Sequence, residues 1–520
     1  MASTIDRHWQ RAQRYIAENR IAEAKATLES IVSHAPHRSD ARMILASVML
    51  SEGTIRNAAE QAVIASKNLP NHAQPVSTVA HALLRIGETN AARDALLRFN
   101  AAATRDGPLL MALAHAFQAL GDHPKALTLM DAAKAVGFDT PDVRYFRSLE
   151  LQFNGRLEEA REELAACLRL GPTYGRASLA FVRMRKQTPE SNHLDYVRAQ
   201  LKSVEQGTED HASFKFAEFK ILEDLGRYDE AFPALQAAND IMYARMDHDI
   251  DKDRRLIDAL IEKMPADFAN AAVPTSSGPT PIFIIGLPRS GTTLLDRILD
   301  NHSMVMSTGE RIEFPRMVRW SVDVRGQEML DEKMISRLDQ IDFAELGRRY
   351  LERTRWRAKG RPFFIDKLPP NFLHAGLIAR ALPNAPILHM VRDPMDVCYS
   401  NYKAMFGESF GYSYNIDALA AHYEGYRRLM RHWHETMPGR ILDVSYNALV
   451  TDQEATIKRI LEHCGLPYEE GLLDTSRNKT AVDTLSSAQV REPIHTRTIG
   501  EWQRYETQLA SLRAAISGFL

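Results

Sequence analysis

The stretch PIFIIGLPRSGTTLLDRILDNH, Pro281 to His302, decides the fold of the second half of the chain. It reads as a short apolar strand, a glycine-bounded loop and an amphipathic helix, the layout of a phosphate-binding loop. Gly286 and Gly291 stand at the spacing of the nucleotide loop G-x-x-x-x-G-K-[ST], but Thr292 holds the lysine position. A loop of this kind turns tightly enough for consecutive N–H groups to face one anion, and the helix that follows adds its N-terminal dipole. Arg289, Ser290, Thr292 and Thr293 add side-chain donors, which an ordinary glycine turn would not need. The loop is therefore expected to bind a phosphate compound that does not require the missing lysine.

Downstream, IFIIG, PFFID, APILHMV and RILDVSY are apolar or β-branched runs that alternate with helical patterns. That alternation predicts a parallel sheet covered by helices, with ligands at the carboxyl ends of the strands. Lys367 leaves the second run at such an end; taken alone it would read as a surface partner of Asp366. Arg392 follows the third run, and Ser400 lies eight residues on, in a helix that Pro394 opens. An arginine at a strand end and a hydroxyl two turns later suit a second phosphate. Two separated sites imply a nucleotide with two separate phosphate groups.

The first half follows a different rule. Asn19, Gly53, Gly87, Gly121 and Gly155 recur at 34-residue intervals, and each is followed five residues later by alanine: Ala24, Ala58, Ala92, Ala126 and Ala160. Pro36, Pro70 and Pro172 fall where a second helix would stop. This period resembles the tetratricopeptide repeat, whose helix pairs stack into a solenoid with a concave face. Gly226 and Ala231 mark a further unit, and a degenerate one is expected over 172–206, where RKQTPESNH breaks the pattern. Such an array implies a protein or peptide partner or substrate, with a homodimer as the alternative use.

The expected organisation is a multidomain chain: an all-α solenoid over 1–264, a linker over 265–280 rich in Pro, Ser, Ala and Gly, and an α/β phosphate-loop domain over 281–520. At 520 residues the chain is long enough for several cores. A formal charge of −2 excludes a global basic field for nucleic acid or an anionic membrane, so any anion site must be local. Cys167, Cys398 and Cys464 form no paired motif, and no segment has the apolar length of a leader or a membrane span. A cytoplasmic protein with reduced thiols is expected. No metal is expected, since no ligand spacing such as H-E-x-x-H occurs.

PRSGTT (Pro288 to Thr293) and VRDPMDVCYS (Val391 to Ser400) together resemble the sulfotransferase family, over about residues 280–505. The resemblance is nearest to the tyrosylprotein sulfotransferase-like branch, and fusions to tetratricopeptide repeats occur among bacterial members. It implies the donor 3′-phosphoadenosine 5′-phosphosulfate, without a metal. It also implies that Pro288, Arg289, Ser290, Gly291, Thr292 and Thr293 hold the 5′-phosphosulfate, and that Arg392 and Ser400 hold the 3′-phosphate. Glu310 in STGERIEFP matches the branch's catalytic Gly-Glu, Lys367 its active-site lysine, Tyr446 the tyrosine beside adenine, and Ser486 the serine of its C-terminal segment near Trp502. This chain departs from the branch at Arg311, which directly follows Glu310, and at Glu501, which replaces a lysine before Trp502.

The resemblance therefore implies sulfuryl transfer to a hydroxyl. A protein or peptide tyrosine brought by the repeats is the first reading of the acceptor; a glycan, lipid or small metabolite is the second. A non-catalytic scaffold is a third reading. A kinase or ATPase is disfavoured by the missing lysine. Glu310 is preferred as base over His302, His374, His389 and His422, of which His302 ends a helix and His389 sits inside an apolar strand. The glycine- and aromatic-rich segment Lys403 to Asn415 reads equally as a packed loop or as a flap over the acceptor.

Overall fold

The computed structural model describes residues 4–100, 104–269, 278–326, 328–475, 478 and 494–520. They fall into two compact units, one of Met1–Asp139 with Ile312–Trp356, the other of Thr140–Arg311 with Arg357–Leu520. These limits cut across the composition boundary near 265.

The first unit holds helical hairpins such as Thr4–Ala17 with Ile21–His34, Ser39–Ser51 with Ile55–Lys67, and Gly107–Ala119 with His123–Ala135. Every anchor of the 34-residue period sits in the turn between paired helices with positive φ, from 56° at Asn19 to 90° at Gly53. That conformation suits glycine, and asparagine tolerates it. The alanines five residues on are fully buried, where only a methyl group fits between the paired helices.

Residues 312–356 supply what several of those helices lack. Thr54 gives helix Ile55–Lys67 no side-chain cap. Instead the Asp323 carboxylate accepts from the backbone N–H groups of Ile55 (2.7 Å) and Arg56 (3.0 Å). Such caps contribute on the order of 1 kcal/mol. Glu88, at the N-terminus of helix Thr89–Arg98, is buried and accepts from Arg353 Nε at 3.0 Å and from Arg349 Nη2. Arg349 also lies over the Trp320 ring at 3.7 Å.

The second unit contains further hairpins, Pro141–Phe153 with Leu157–Leu170 and Glu209–Asp224 with Tyr228–Met246. Between them lies the degenerate pair, Gly175–Arg183 and Leu194–Gln200, shortened where RKQTPESNH folds into a bridged turn between Thr188 and Ser191. The same unit holds an all-parallel sheet of order β2-β3-β1-β4-β5. Its strands are β1 Thr280–Gly286, β2 Val305–Ser307, β3 Phe363–Lys367, β4 Ile387–Val391 and β5 Ile441–Ser445. Four were legible as apolar runs. The fifth, β2, is a three-residue edge strand, too short for a periodic signal.

β1 is central and buried on both faces. On one face Ile282 and Ile284 pack with Leu295, Ile298 and Leu299 of helix Thr292–Asp300 and with Leu388, Met390 and Val444. This core fixes the turn between β1 and its helix. No described helix is long and apolar enough to cross a membrane, and all three cysteines are buried and free.

Removing the Glu88 carboxylate leaves two guanidinium groups without their shared partner in a largely buried setting. Glu88→Ala is expected to destabilise the first unit by about 3 kcal/mol. Urea unfolding, with amide exchange over both 1–139 and 312–356, checks it; loss of protection confined to 73–98 would contradict shared dependence on this carboxylate.

Candidate functional site

The loop between β1 and helix Thr292–Asp300 is shaped by two glycines with no room for a side chain. A Cβ on Gly286, at φ +144°, would lie 2.8 Å from the Met390 carbonyl oxygen. One on Gly291, at φ +104°, would lie 2.4 Å from the Tyr446 ring. Between them Arg289 takes φ +67°, an uncommon conformation for a side-chain-bearing residue and one that turns successive N–H groups inward. Asn401 Nδ2, near the end of helix Pro394–Tyr402, donates to the Pro288 carbonyl at 2.8 Å and pins the loop. Ser290, Thr292 and Thr293 are buried. Ser290 Oγ has no hydrogen-bond partner among the described residues.

Arg392, just past β4, joins this loop to the second expected phosphate site. Its Nη1 donates to the Arg289 carbonyl at 3.1 Å and its Nη2 to the Thr498 carbonyl at 2.5 Å. Its Nε is buried without a partner among the described residues. The guanidinium lies over the Tyr446 ring at 4.8 Å, and Tyr446 Oη meets Thr498 Oγ1 at 3.0 Å. Ser400 is buried on helix Pro394–Tyr402, which Asp393 caps by accepting from Asp396 N–H at 2.9 Å. Burial and the nearby Arg392 charge depress the Arg289 guanidinium to about 10. Two cations held this close favour an anion between or beside them.

Lys367 ends β3, with its Cα opposite that of Ile284 on β1. Its ammonium is buried and donates to Glu310 Oε1 at 2.8 Å. The segment carrying Glu310 leaves the edge strand β2 and is fastened by Thr308 Oγ1, which donates to the Ile365 carbonyl at 2.7 Å. Arg311 folds back so that its Nε donates to the Thr308 carbonyl, which bonds this arginine to the segment that carries the glutamate. Glu310 keeps 39% of its side chain exposed. It therefore presents a carboxylate to solvent while its partner is enclosed.

Three contributors were not read from the sequence. Asp296, on the loop helix, is a buried carboxyl raised to about 6 by burial, against the opposing Lys367 charge. Its only sequence signal is an acid between apolar residues in LLDRILD. Thr498 receives both Arg392 and Tyr446, although nothing marks it locally. Lys403 pairs with Glu501 at 2.7 Å, so a cation does stand beside the acid that replaced the expected lysine. Burial would raise the Glu501 carboxyl, but Lys403 and, more weakly, Arg392 hold it below the usual range. Ser486 lies outside the described residues.

The histidines are otherwise engaged. His302 Nε2 bonds the Pro467 carbonyl at 2.9 Å, and His422 stacks on Tyr412 at 3.5 Å. His389 meets Asp443 and Tyr426, and His374 is buried in the turn Pro369–His374. In the segment 403–415, Tyr412 and Tyr414 are buried, and Tyr414 Oη joins the Phe406 N–H and the Gly407 carbonyl, each at 2.8 Å. Those bonds fit a packed loop.

The loop, the arginine strand end and the Glu310–Lys367 pair lie within a stretch, residues 281–470, that matches the sulfotransferase family. This segment is a sulfotransferase-family domain. The helical hairpins that precede it are tetratricopeptide-type repeats. An uncharacterized protein of Aquifex aeolicus (strain VF5) is 31% identical over 363 residues, 68% of this chain and 47% of that protein. A putative protein-tyrosine sulfotransferase of Caenorhabditis briggsae is 26% identical over 235 residues, 42% of this chain and 80% of that protein. The chain thus spans about half the length of the Aquifex relative. The solved sulfotransferase domain from the Synechococcus PCC 7002 olefin synthase is similar at 21% identity and a TM-score of 0.33, covering 44% of this chain and 90% of that one.

Within the sulfotransferase domain, Asp296 gives stability a definite pH dependence. Its carboxyl has an ordinary value of 3.8 and about 6 when folded. Its contribution to stability is therefore full at and below about pH 4 and is lost as pH rises towards 6. Asp296→Asn is expected to gain roughly 2–3 kcal/mol relative to the parent between pH 4 and pH 7. Urea unfolding at the two pH values measures the difference; a pH-independent gap would contradict the assignment.

Proposed function

We propose that the chain transfers a sulfuryl group from 3′-phosphoadenosine 5′-phosphosulfate to a hydroxyl acceptor. The observation that carries this reading is the joining of two donor-rich strand ends through Arg392 Nη1 and the Arg289 carbonyl. Ser290 Oγ and Arg392 Nε remain as buried donors without partners among the described residues. Those orphaned atoms, and a glycine loop that excludes even a Cβ, fit a nucleotide with phosphate groups at both ends. When bound, the donor supplies a sulfuryl group whose S–O bond to the 5′-phosphate breaks as the acceptor oxygen bonds sulfur.

Residues 288–293 cradle the 5′ end; Arg392 and Ser400 hold the 3′-phosphate, and Tyr446 lies beside the adenine. Glu310 takes the acceptor's proton on the carboxylate oxygen not bonded to Lys367. Lys367 and Arg289, joined by Ser486, stabilise the charge that develops on the sulfuryl and bridging oxygens. Lys367 is well suited, because a buried, already oriented ammonium needs little reorganisation when charge develops.

The acceptor in this reading is a tyrosine of a protein or peptide held by the repeats. The names of the Caenorhabditis and Gallus gallus relatives, both protein-tyrosine sulfotransferases, support it. The setting proposed is the cytoplasm, where thiols such as Cys167, Cys398 and Cys464 stay reduced. The boundaries 1–264, 265–280 and 281–520 are retained as the functional division between repeats, linker and transferase.

Calorimetric titration with 3′-phosphoadenosine 5′-phosphate is expected to show binding that Arg392→Ala weakens about 10- to 100-fold, with Mg-ATP inert. Preference for ATP, or indifference to Arg392, would overturn the donor assignment. Glu310→Gln is expected to lower kcat about 10²- to 10⁴-fold with bisphosphate affinity unchanged. Turnover at the parent rate with saturating donor would remove Glu310 as base. Trials of tyrosine peptides against carbohydrates decide the acceptor.

A further inference from the structure

One cluster of ligand-type side chains takes no part in the proposed transfer. His389 of β4 and Asp443 of β5 are register partners in a parallel pair, so their side chains leave the same face of the sheet side by side. His434 reaches the same point from the last turn of helix Ile416–Thr436. His389 Nδ1 lies 2.7 Å and His434 Nε2 3.0 Å from Asp443 Oδ1, and the three ligand atoms all lie within 4.8 Å of one another. Three separate elements thus deliver two imidazole nitrogens and one carboxylate oxygen to one place.

We infer that His389, His434 and Asp443 form a binding site for a divalent cation of the zinc class. Two imidazoles with a carboxylate are a donor set suited to Zn²⁺ and its neighbours, and poorly suited to Mg²⁺ or Ca²⁺, which take oxygen. The fourth position falls to water, because Asp443 and His434 keep 51% and 37% of their side chains exposed while His389 is buried. His389 has an outer partner as well: its Nε2 bonds the Tyr426 hydroxyl, which orients the ring and leaves Nδ1 directed at the cluster. The C-terminal end of a 21-residue helix adds a field that favours a cation.

Two features set the strength of the site. The present spacings of 2.7 and 3.0 Å are shorter than the roughly 3.3 Å between ligands on a tetrahedral zinc. The half-exposed Asp443 and His434 can open that gap by small side-chain rotations. Arg427 lies close enough for its charge to act on both imidazoles, and it opposes a cation. The Asp443 carboxylate, whose Oδ1 meets both imidazole nitrogens, offsets that repulsion. The cation fastens β4 and β5 to the end of the helix and has no part in moving the sulfuryl group, so this site stands or falls apart from the proposed activity.

The test uses the full chain treated with chelator and then titrated with ZnCl₂, followed by calorimetry and thermal melting. One equivalent is expected to bind with a Kd of about micromolar order and to raise Tm by about 2 °C or more at excess zinc. His434→Ala and Asp443→Asn should each weaken binding at least about tenfold. Both positions are solvent-accessible, and the Tm of each variant without metal reports whether it folds. Co²⁺ gives a second readout, since its tetrahedral complex is coloured and should be lost in both variants. Absence of zinc binding would overturn the inference, as would binding that both variants leave unchanged.

Discussion

The ammonium of Lys367 is withdrawn from water, and much of the site is arranged around the cost of that burial. An uncompensated buried cation is penalised by several kcal/mol. Glu310 supplies a hydrogen bond and Asp296 an opposing charge, one from the segment after an edge strand and the other from the helix after the phosphate-type loop. Three chain segments within residues 296–367 therefore converge on one charge. Glu310 consequently sits at a fixed place with one oxygen engaged, while the rest of its side chain faces solvent.

A second electrostatic constraint runs through Arg392. It donates to two backbone carbonyls, which orient it without cancelling its charge. Arg289 lies near enough to feel that charge, and Glu501 relieves part of it while being held in turn by Lys403. Lys403 follows helix Pro394–Tyr402, and Tyr399 of that helix donates to Glu223 of the repeat helix Glu209–Asp224 at 2.9 Å. Asn239 Nδ2 donates to the Tyr402 carbonyl at 3.0 Å. The helix that carries Ser400 is thus bonded to the later repeats, which belong to the same compact unit as the sheet. In the other unit the earlier repeats depend in the same way on 312–356, through Asp323 and Glu88. Each compact unit thus combines repeat helices with a segment that comes later in the chain.

The sequence by itself determined what is periodic or local. A 34-residue recurrence of a turn residue and a buried alanine is enough to specify helical hairpins, because positive φ and close helix approach each admit few residue types. The strand, glycine loop and helix of 281–302 are local for the same reason; the placing of Arg392 and Ser400 after a strand singled those two out as candidates, whereas Glu310 was singled out only by its resemblance to a family motif. Tertiary structure alone decided the contacts that depend on residues distant in the chain. Asp296 is an ordinary helix acid until the sheet buries it beside Lys367. Thr498 has no local mark, yet it meets Arg392 and Tyr446. Glu501 reads as the loss of a cation until Lys403 is found beside it, and β2 is too short to be seen without its partner strand. Charge compensation and burial are sums over neighbours in space, and a single chain read in order contains the terms of those sums but not the distances that weight them.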